Sequence, residues 1–594
     1  MSFISRFRWP MCKALFSPLL AVIACLMLAA TPALAQVVVS SPVAVSSPVP
    51  GNGTDGNEQC ASGTYATNRS ESNIAVDPNN PSHMLGLSKF FFSSPPSSGT
   101  DWSSVYRFHL GSYDFSSSSA QNQLLPGYTC TPGSGLTQWD ATTDPNVAFD
   151  AQGNAYSAVL TLNFNNLKNE IAVNKRPKDS TGWSLPIVVD QFKSPSGLGQ
   201  EYDKQWIAAD ANPSSPFRNN VYVAFTIFSL VSGQVYVARS TDGGKTFSQP
   251  RVVSSLGGFN TFVYLDVDPS GNLFLEYTNF AHLFSNSGRA VVQESTDGGQ
   301  SFGTSQVGPS FTGEPFVSRT NDGWTLPNTT FRDGIIDYFA VSHAHPGHLY
   351  IAAEQWDKAG CTPTTDPSGD YDVAFYSSLD GGQTWSAASC ANDPSTQGDA
   401  TDQFQPEVAA DARGHVAVAW YDRRADCPTR QPGGAAGYYT SLGAHNYCIQ
   451  TALQWYSDSG SAVSPSGAAN QLFGPIWDPQ EPANEAAPTS NTNAWPSGYV
   501  SDLPHSVFNP CYNTFSGTFI PVCVTFIGDY FGLAVSGGTA DILNVSTFPT
   551  FNTIQPVSRW AQPPTTSGAF TAAATYNAAN NYYQQQVLIT ATAP

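Results

Sequence analysis

The chain has 594 residues and a formal net charge of −20 at neutral pH, with 25 lysines and arginines against 45 aspartates and glutamates. Such an acidic surface repels nucleic acid and anionic membranes, so we expect neither as a partner. Charged residues make up only 12% of the chain, whereas glycine, proline and aromatic residues are frequent. This composition is typical of an exported β-rich protein and argues against a mainly helical one.

Residues 1–35 have the pattern of an export signal peptide. Three basic residues precede an apolar run from 14 to 30, and a small-residue A-x-A site ends at Ala35. The alternative is a lipoprotein signal at Cys25, which the apolar residues directly after this cysteine disfavour. No later stretch is long and apolar enough to span a bilayer. We therefore expect a soluble monomer that is secreted, either to the extracellular space or to the periplasm.

Eight cysteines would remain after this cleavage. An even number in an exported chain indicates disulfides, and the absence of a CxxC pair disfavours a zinc cluster. Sequence order suggests four local pairs, although the sequence alone does not prove the connectivity: Cys60–Cys130, Cys361–Cys390, Cys427–Cys448 and Cys511–Cys523.

The mature chain is predicted to consist of a lead-in and one long β-rich region. Residues 36–58 are rich in proline, serine and glycine, which predicts a flexible segment. From 59 to 594, short runs of Val, Ile, Tyr and Phe alternate with clusters of Gly, Pro, Asn and Asp. A strand, a tight Asp/Gly turn and a second strand recur, as in "NVAFDAQGNAYSAVL" from Asn146. The segment of about 474–525 is predicted to be a long inserted loop.

An eight-residue motif occurs three times. It is "STDGGKTF" at 240–247, "STDGGQSF" at 295–302 and "SLDGGQTW" at 378–385. Its aspartate is suited to accept backbone N–H bonds across a bend, and its second glycine to adopt a positive φ. The first copy follows the third strand of a repeat and precedes a fourth. Four antiparallel strands, repeated at intervals of several tens of residues, predict a β-propeller.

The motif S-x-D-x-G-x-[ST]-[FW] is the Asp box, and through it the chain resembles the sialidase superfamily of BNR-repeat β-propellers. The resemblance implies that Asp242, Asp297 and Asp380 are structural residues on the outer rim of the blades. Known sialidases have six blades, whereas counting hairpin units along this sequence favours seven. The resemblance also implies an exported glycoside hydrolase that removes terminal sugars, sialic acid among them, from a glycan or glycoprotein.

Two other functions fit the same scaffold, because a fold does not determine a function. One is a non-catalytic Asp-box propeller that binds glycan or protein at the cell surface. The other is an enzyme with different chemistry. The sequence F/Y-R-I-P, which surrounds the first arginine in sialidases, is missing around Arg69, where the text is "TNRSESN". This departure favours the non-catalytic alternative, whereas the Arg, Tyr and Asp positions at the starts of the repeats favour the enzyme, an exo-glycosidase, which we place slightly ahead.

The sialidase mechanism requires three arginines that clamp a carboxylate, a tyrosine nucleophile with a glutamate beside it, and an aspartate as acid/base. We expect these residues at the starts of the inner strands, which face the central channel. Tyr530 is the candidate nucleophile, and no single aspartate stands out as acid/base. The further candidates are Arg69, Arg332 and either Arg423 or Arg424 for the clamp, Glu71, Glu276 or Glu407 to activate the tyrosine, Asp529 beside it, and Asp203 for substrate binding.

We expect no cofactor, with calcium as the alternative. Asp144, Asp203, Asp333 and Asp529 lie at the starts of repeat units and would offer oxygen ligands in the channel, although no EF-hand spacing is present. The motif "HAHPGH" contains His343, His345 and His348, which suggests a metal site. It occupies the place of the Asp/Gly turn in other units, so a surface turn is the favoured interpretation.

Overall fold

The computed structural model describes part of the chain. Side chains at several strand ends, those of Arg69 and Arg423 among them, lie outside this description, as do the predicted signal peptide and Arg332. The described ranges are 38–39, 43–45, 69–92, 107–115, 122–127, 141–163, 168–191, 201–229, 231–282, 285–313, 337–356, 371–392, 402–425, 448–467, 470–477, 528–546 and 585–594.

Every regular element in these ranges is a β-strand, and the strands pair antiparallel in sets of four. Within the described residues, no helix is long and apolar enough to cross a membrane. The first two strands are short, β1 (Val38–Val39) and β2 (Val43–Ala44). The next two sets are β3 (Arg69–Asp77), β4 (Asn80–Phe92), β5 (Arg107–Asp114) and β6 (Gln123–Leu124), then β7 (Ala141–Phe149), β8 (Ala155–Asn163), β9 (Lys168–Arg176) and β10 (Ile187–Gln191).

The following two sets are joined by a single parallel pairing between Gly233 and Phe259. They are β11 (Glu201–Ala209), β12 (Val221–Phe228), β13 (Gly233–Ser240) and β14 (Arg251–Val252), then β15 (Phe259–Val267), β16 (Leu273–Phe280), β17 (Ser287–Ser295) and β18 (Gln306–Thr312).

Two more sets continue the same pattern along the chain. They are β19 (Asp337–Val341), β20 (Leu349–Trp356), β21 (Tyr371–Ser378) and β22 (Ser389–Cys390), then β23 (Gln403–Ala410), β24 (His415–Ala425), β25 (Cys448–Asp458) and β26 (Val463–Pro465), with β27 (Asn470–Trp477) also pairing with β25.

The last sheet combines both ends of the chain. Its C-terminal strands are β28 (Gly532–Ser536), β29 (Thr539–Ser546) and β30 (Gln585–Thr592), and β1 and β2 pair with the outer strand β30. The Val45 backbone N–H donates to the Gln586 carbonyl at 2.9 Å, and Val45 is only 1% exposed. Part of the lead-in, which we expected to be flexible, therefore pairs with the last sheet.

The first strands of the sets contact one another in succession. β3 contacts β7, and the contacts continue through β11, β15, β19 and β23 to β28, which contacts β3 again. The sheets therefore surround a common axis, with their first strands innermost. The predicted all-β architecture of four-stranded antiparallel sheets is confirmed.

The sheets are held together by apolar side chains packed between neighbours. One cluster joins Tyr156 of β8 to Val221 and Val223 of β12, all fully buried. Fully burying an aliphatic or aromatic side chain of this kind stabilises the fold by about 1.5–3 kcal/mol. Because β12 is buried on both faces in this way, its sequence "VYVAFTIF" is a nearly continuous apolar run.

The Asp-box turns lie between the third and fourth strands. In the first copy, the Ser240 hydroxyl donates to Asp242 Oδ1 at 2.7 Å, the backbone N–H groups of Lys245 and Thr246 donate to the same oxygen at 3.0 Å, and the Thr246 hydroxyl donates to Oδ2 at 2.6 Å. Around Asp297, burial opposes ionisation, but hydrogen bonds from the Ser301 hydroxyl and the backbone outweigh it and lower the pKa to about 2.

The second glycine of the motif serves the packing as well as the turn. Gly244 has a φ of +77°, and an added Cβ would lie 2.7 Å from Cε1 of Tyr156 on the preceding sheet. Gly299 at the same place in the second copy would meet the ring of Tyr222 at 3.0 Å. The repeated motif thus fixes both the bend and the close approach of the next sheet.

Eight cysteines were predicted to form disulfides. Cys390 ends β22 and Cys448 begins β25, whereas the other six lie outside the described residues. The four pairs therefore stay predictions.

We expect Asp242→Ala to lower the free energy of unfolding by about 1 kcal/mol, because the donors of the turn lose their acceptor. Thermal unfolding monitored by intrinsic fluorescence measures this effect. Lys245→Ala is the matched control, since Lys245 is exposed in the same turn and contributes only its backbone N–H to Asp242. Equal midpoints for the two variants would contradict a structural role of the carboxylate.

Candidate functional site

Five of the first strands carry a β-bulge at the same place, near the start of the strand. The first residue of each bulge is a non-glycine residue with a φ between +47° and +54°. Left-handed backbone is costly for residues other than glycine, and a bulge redirects the side chains beside it. This repeated geometry therefore indicates a functional role for the end of the central channel at which the first strands begin. The five residues are Glu71, Asp144, Lys204, Phe262 and Gln405.

Lys204 is the centre of an ion-pair cluster among these residues. Its ammonium group contacts the carboxylate of Asp529 and lies 3.8 Å from Asp144 Oδ2. It also lies 5.6 Å from the centroid of the Phe262 ring, within the range of a cation–π interaction. The backbone N–H of Lys204 donates to Asp203 Oδ1 at 2.8 Å. One lysine therefore organises three carboxyl groups from separate parts of the chain.

Glu71 belongs to the same cluster through a neighbouring threonine. The Thr143 Oγ1 atom lies 3.2 Å from Glu71 Oε2 and 2.7 Å from Asp144 Oδ1. A hydroxyl has a single proton, so it satisfies both carboxyl groups when it donates to one and accepts from the other. Lys89 Nζ completes the surroundings of Glu71 at 2.8 Å. The Thr143 hydroxyl thus connects Glu71 with Asp144.

The carboxyl groups of the cluster differ in how they hold their protons. Burial raises the pKa of Glu71 to about 8, against the opposing charge of Lys89. Burial also raises the pKa of Asp203 to about 7, against the charge of Lys204. Burial disfavours the ammonium form of Lys204, but Asp529 and Asp144 outweigh it and raise the pKa of the lysine. Burial therefore favours the protonated form of Glu71, and the neighbouring carboxylates favour the charged form of Lys204.

An open pocket lies over this cluster. Acidic and basic groups line it together with aromatic ones, including Asp144, Lys204, Asp529, Trp206, Phe262 and Tyr264. The combination of a few convergent polar groups with aromatic walls is typical of a ligand site.

Aromatic side chains from three successive first strands pack together in the ring beside this pocket. The Trp206 ring lies 5.0 Å from Tyr264 and 5.6 Å from Tyr338, and the two tyrosine rings are 4.6 Å apart, measured between centroids. Glu407, another candidate activator, lies on the neighbouring strand β23 and accepts a hydrogen bond from the Phe531 N–H at 3.2 Å. Since Trp206 and Tyr264 also line the pocket, this aromatic cluster forms part of its wall.

The structure brings together four of the candidate site residues, Tyr530, Asp529, Glu71 and Asp203. Tyr530 is 8% exposed, and its hydroxyl donates to the Pro145 carbonyl at 3.3 Å. Burial, and then the charge of Asp144, raise the pKa of this phenol well above its usual value. A tyrosine that holds its proton so firmly is a weak nucleophile.

The arginine clamp stays a prediction. Arg69 begins β3 and Arg423 lies near the end of β24, but their side chains, like that of Arg424, are outside the description, and Arg332 lies outside the described residues altogether. In the part of the chain that is described, the ammonium group lining the pocket belongs to a lysine, Lys204. The Asp-box residues Asp242, Asp297 and Asp380 do not line this pocket.

A calcium ion would have to compete with the Lys204 ammonium group for its expected ligands. The Lys204 ammonium already contacts Asp529 and Asp144, two of the expected calcium ligands, and Asp333 lies outside the described residues. Among the residues that are described, no group of three or more His, Cys, Asp or Glu side chains is arranged to hold a metal ion.

The three histidines of "HAHPGH" have separate partners. His343 Nε2 lies 3.2 Å from Asp266 Oδ1, and His348 Nδ1 lies 2.7 Å from Asp458 Oδ2. His345 Nε2 lies 3.3 Å from the carbonyl oxygen of Asp458. The segment forms the turn between β19 and β20, as the turn interpretation expected.

Several residues of the site carried no sequence signal of their own. Lys204, Thr143 and Lys89 were not among the candidates, although Lys204 and Thr143 lie in the short stretches "YDKQ" and "TTDP" at strand starts. Aligning the repeats on their turn aspartates, Asp77, Asp150 and Asp210, places Lys204 in register with Glu71 and Asp144. That register is the signal from which the cluster could have been found.

Comparison with known proteins finds distant structural matches. No family profile matches the chain. No curated protein matches it. Among solved structures, the chain is similar to a protein of unknown function from Dyadobacter fermentans, at 9% identity, over 94% of this chain and 100% of that chain, with a TM-score of 0.38.

Two of the similar structures are glycoside hydrolases. A sialidase from Streptococcus pneumoniae matches at 11% identity over 70% of this chain and 63% of that chain, with a TM-score of 0.31. An alpha-L-arabinanase from Penicillium chrysogenum, complexed with arabinobiose, matches at 9% identity over 64% of this chain and 94% of that chain, with a TM-score of 0.38. At these scores we draw no conclusion about function from them.

Glu276, a candidate activator, instead pairs with a second carboxyl group. It is fully buried on β16, and the nearby carboxyl group of Asp337 adds to burial in disfavouring its charged form. The Thr278 hydroxyl donates to Asp337 Oδ1 at 2.5 Å. Burial raises the pKa of Glu276 well above its usual range and that of Asp337 to about 6. The pair is stable when it shares a proton between neighbouring sheets.

We expect Glu276→Gln to flatten the dependence of stability on pH. Because both carboxyl groups have raised pKa values, the folded protein binds more protons than the unfolded chain, so wild-type stability falls as the pH rises through about 6. The glutamine amide donates to Asp337 without titrating, so the loss between pH 5 and pH 8 should shrink by on the order of 2 kcal/mol.

Urea denaturation at both pH values measures this change. Asp179→Asn, an exchange in an exposed turn, is the control and should leave the wild-type profile unaltered. If the Gln variant loses as much stability as the wild type between pH 5 and pH 8, the pair does not share a proton.

Proposed function

We propose that the protein is a glycoside hydrolase whose reaction takes place in the pocket over Lys204. This proposal rests on the different protonation states of the carboxyl groups at the pocket. Glycosidases require one protonated carboxyl and one carboxylate on either side of the scissile bond. Here burial favours the protonated form of Glu71, whereas Asp529 is ion-paired with Lys204. The Asp-box resemblance is consistent with such a reaction.

In the proposed reaction, Asp144 is the acid that faces the substrate. It lines the pocket, and the Thr143 hydroxyl connects it with the proton held by Glu71. The proton passes to the glycosidic oxygen as the bond to the anomeric carbon breaks. Asp529 stabilises the positive charge that develops on the sugar ring. Water supplies the hydroxyl group that ends on the anomeric carbon, and its remaining proton returns to Asp144 and Glu71.

The finer expectations are part of the same proposal. The contacts that link seven first strands into a closed cycle support a propeller of seven blades. We further propose that the protein is secreted, that its cysteines pair as disulfides and that it acts as a monomer on glycans. Sialic acid as the substrate requires the arginine clamp of Arg69, Arg332 and Arg423 to converge on this pocket.

The experiment is hydrolysis of a panel of fluorogenic aryl glycosides by the purified protein, with neutral sugars, an arabinofuranoside and a sialoside. Asp144→Asn should lower kcat/KM by about 10²–10⁴, the usual contribution of a general acid. Glu71→Gln should also lower kcat/KM, because an amide cannot supply the proton, and wild-type activity should fall as Glu71 loses its proton near pH 8. Tyr530→Phe should stay within a few-fold of the wild type, because its phenol is not used as a nucleophile.

Asp541→Asn is the matched control, an isosteric exchange of a buried carboxyl on β29 whose partner is Thr590. It should leave kcat/KM unchanged. Loss of sialoside turnover in Tyr530→Phe would instead identify the tyrosine as the nucleophile and restore the sialidase mechanism. No turnover of any glycoside by folded protein would overturn the proposal in favour of a binding propeller.

A further inference from the structure

We propose that the pocket over Lys204 recognises a neutral sugar through two of its hydroxyl groups, which donate hydrogen bonds to the side-chain amide oxygens of Asn146 and Gln205. That this sugar is the substrate rests on the proposed function, whereas its binding does not. Three features support the assignment: the way in which the two amides are held, the contrast with an equivalent residue in another repeat, and the aromatic walls of the pocket.

Asn146 on β7 and Gln205 on β11 present buried amide groups at the pocket. Each residue is only 2% exposed, and both line the pocket. The Gln205 Nε2 group donates to the Asp144 carbonyl and lies 3.3 Å from the Thr143 carbonyl. The Asn146 Nδ2 group donates to the Pro145 carbonyl at 3.0 Å. Because the two amides bind consecutive carbonyl groups at the β7 bulge, they lie close to one another.

These hydrogen bonds determine which way each amide faces. A peptide carbonyl only accepts, so the NH₂ end of each amide must face it and the oxygen must point elsewhere. Within the described part of the chain, no group donates to Asn146 Oδ1 or to Gln205 Oε1. A buried oxygen left without a donor costs about 1–3 kcal/mol. Neither amide titrates, so this lack of donors is the same whatever the protonation state of the neighbouring carboxyl groups.

The hydroxyl group of Tyr530, which also lines the pocket, does not supply the missing donor. It donates to the Pro145 carbonyl at 3.3 Å, the same carbonyl that Asn146 uses. The protons of this hydroxyl and of both amides are therefore directed at the backbone of β7 or its neighbours, and two acceptors remain. A sugar hydroxyl supplies a donor to each, whereas a carboxylate only accepts and would leave both oxygens unpaired.

Asn73 shows what the same residue type does in a structural role. It lies four residues before the turn aspartate Asp77, as Asn146 lies four residues before Asp150. Asn73 Oδ1 accepts a hydrogen bond from the Val147 N–H at 2.9 Å and so connects β3 to β7. Among the described residues, Asn146 Oδ1 makes no such bond to β11. At the pocket, the oxygen of this repeated position is thus left for a ligand.

The aromatic side chains of the pocket suit the rest of a sugar. Trp206, Phe262 and Tyr264 line it, and aromatic rings pack against the apolar face of a sugar ring. A sugar offers this face to the rings and hydroxyl donors at its edge, so one small molecule makes both kinds of contact.

The test is isothermal titration calorimetry of the purified protein with D-glucose, D-galactose, D-mannose, L-arabinose and N-acetylneuraminic acid as probes. At least one neutral sugar should bind more tightly than N-acetylneuraminic acid. The neutral sugar that binds most tightly is then compared with its monodeoxyfluoro analogues, in each of which fluorine replaces one hydroxyl group and cannot donate. Two of these analogues should bind about tenfold more weakly than the parent sugar, because each leaves one buried oxygen without a donor.

Asn146→Leu and Gln205→Met each remove one amide at similar side-chain size. Each variant should abolish the weakening for one of the two analogues, and a different analogue in each variant. Gln293→Met is the matched control, because Gln293 is a buried glutamine on β17 that does not line the pocket. Its Nε2 group donates to the Gly303 carbonyl at 3.3 Å, and its oxygen likewise lacks a donor in the described structure. This control should retain both effects.

The wild-type comparison tests the proposal even if a variant does not fold. Fewer than two weakened analogues, tightest binding of N-acetylneuraminic acid, or no binding of any neutral sugar would each overturn it. So would a variant, Asn146→Leu or Gln205→Met, in which both analogues stay weakened, because the amide would then have only a structural role.

The outcome is separable from that of the proposed function, because no turnover is needed to measure binding. A protein that binds a neutral sugar through two donor hydroxyls but hydrolyses no glycoside refutes the hydrolase and keeps the sugar site. A protein that hydrolyses a glycoside but binds every fluorinated analogue of its sugar as tightly as the parent refutes this inference and keeps the hydrolase.

Discussion

The pocket depends on the bulge near the start of each first strand. A residue such as Lys204 or Asp144 adopts left-handed backbone there at a cost of about 1–2 kcal/mol, and the same cost recurs on several strands. Regular pairing on both sides of each bulge holds the strained residue in place, as in β11, where pairing with β12 resumes at Trp206. Without the bulge, side chains would continue the plain alternation of a strand, and the charged groups would not converge.

The convergence creates an electrostatic problem that Lys204 solves only in part. Carboxyl groups brought together in a buried place repel one another, and removing them from water is costly unless each is paired or protonated. Lys204 pairs with Asp529 and lies near Asp144, whereas burial raises the pKa of Glu71 and Asp203, so that these two groups tend to retain their protons. The protonation pattern on which the proposed chemistry rests is thus a direct consequence of burial.

The sequence predicted the all-β architecture, whereas it predicted only some residues of the site. The Asp/Gly hairpins and Asp boxes depend on short-range hydrogen bonds, such as those around Asp242. Because the donors and acceptors lie within a few residues of each other, a short sequence motif predicts these turns. The pocket joins Glu71, Lys204 and Asp529, which are hundreds of residues apart, and its bulges leave no pattern in a single strand. The pairing of β1 and β2 with β30 was also beyond prediction, because a Pro- and Ser-rich composition says nothing about a distant partner.

The repeats explain why structural and functional residues separate so clearly along this chain. Three sheets use the same Asp-box turn, so its aspartate and glycines recur, and each change there would have to be compatible with close packing such as that of Gly244 on Tyr156. The bulge position is also repeated in geometry, yet it carries glutamate, aspartate, lysine, phenylalanine and glutamine on different strands. The backbone at this position is the same on several first strands, whereas the side chain differs. The ring of first strands is therefore chemically asymmetric. That asymmetry concentrates the ionisable groups on β3, β7, β11 and the segment before β28, on one side of the ring of first strands.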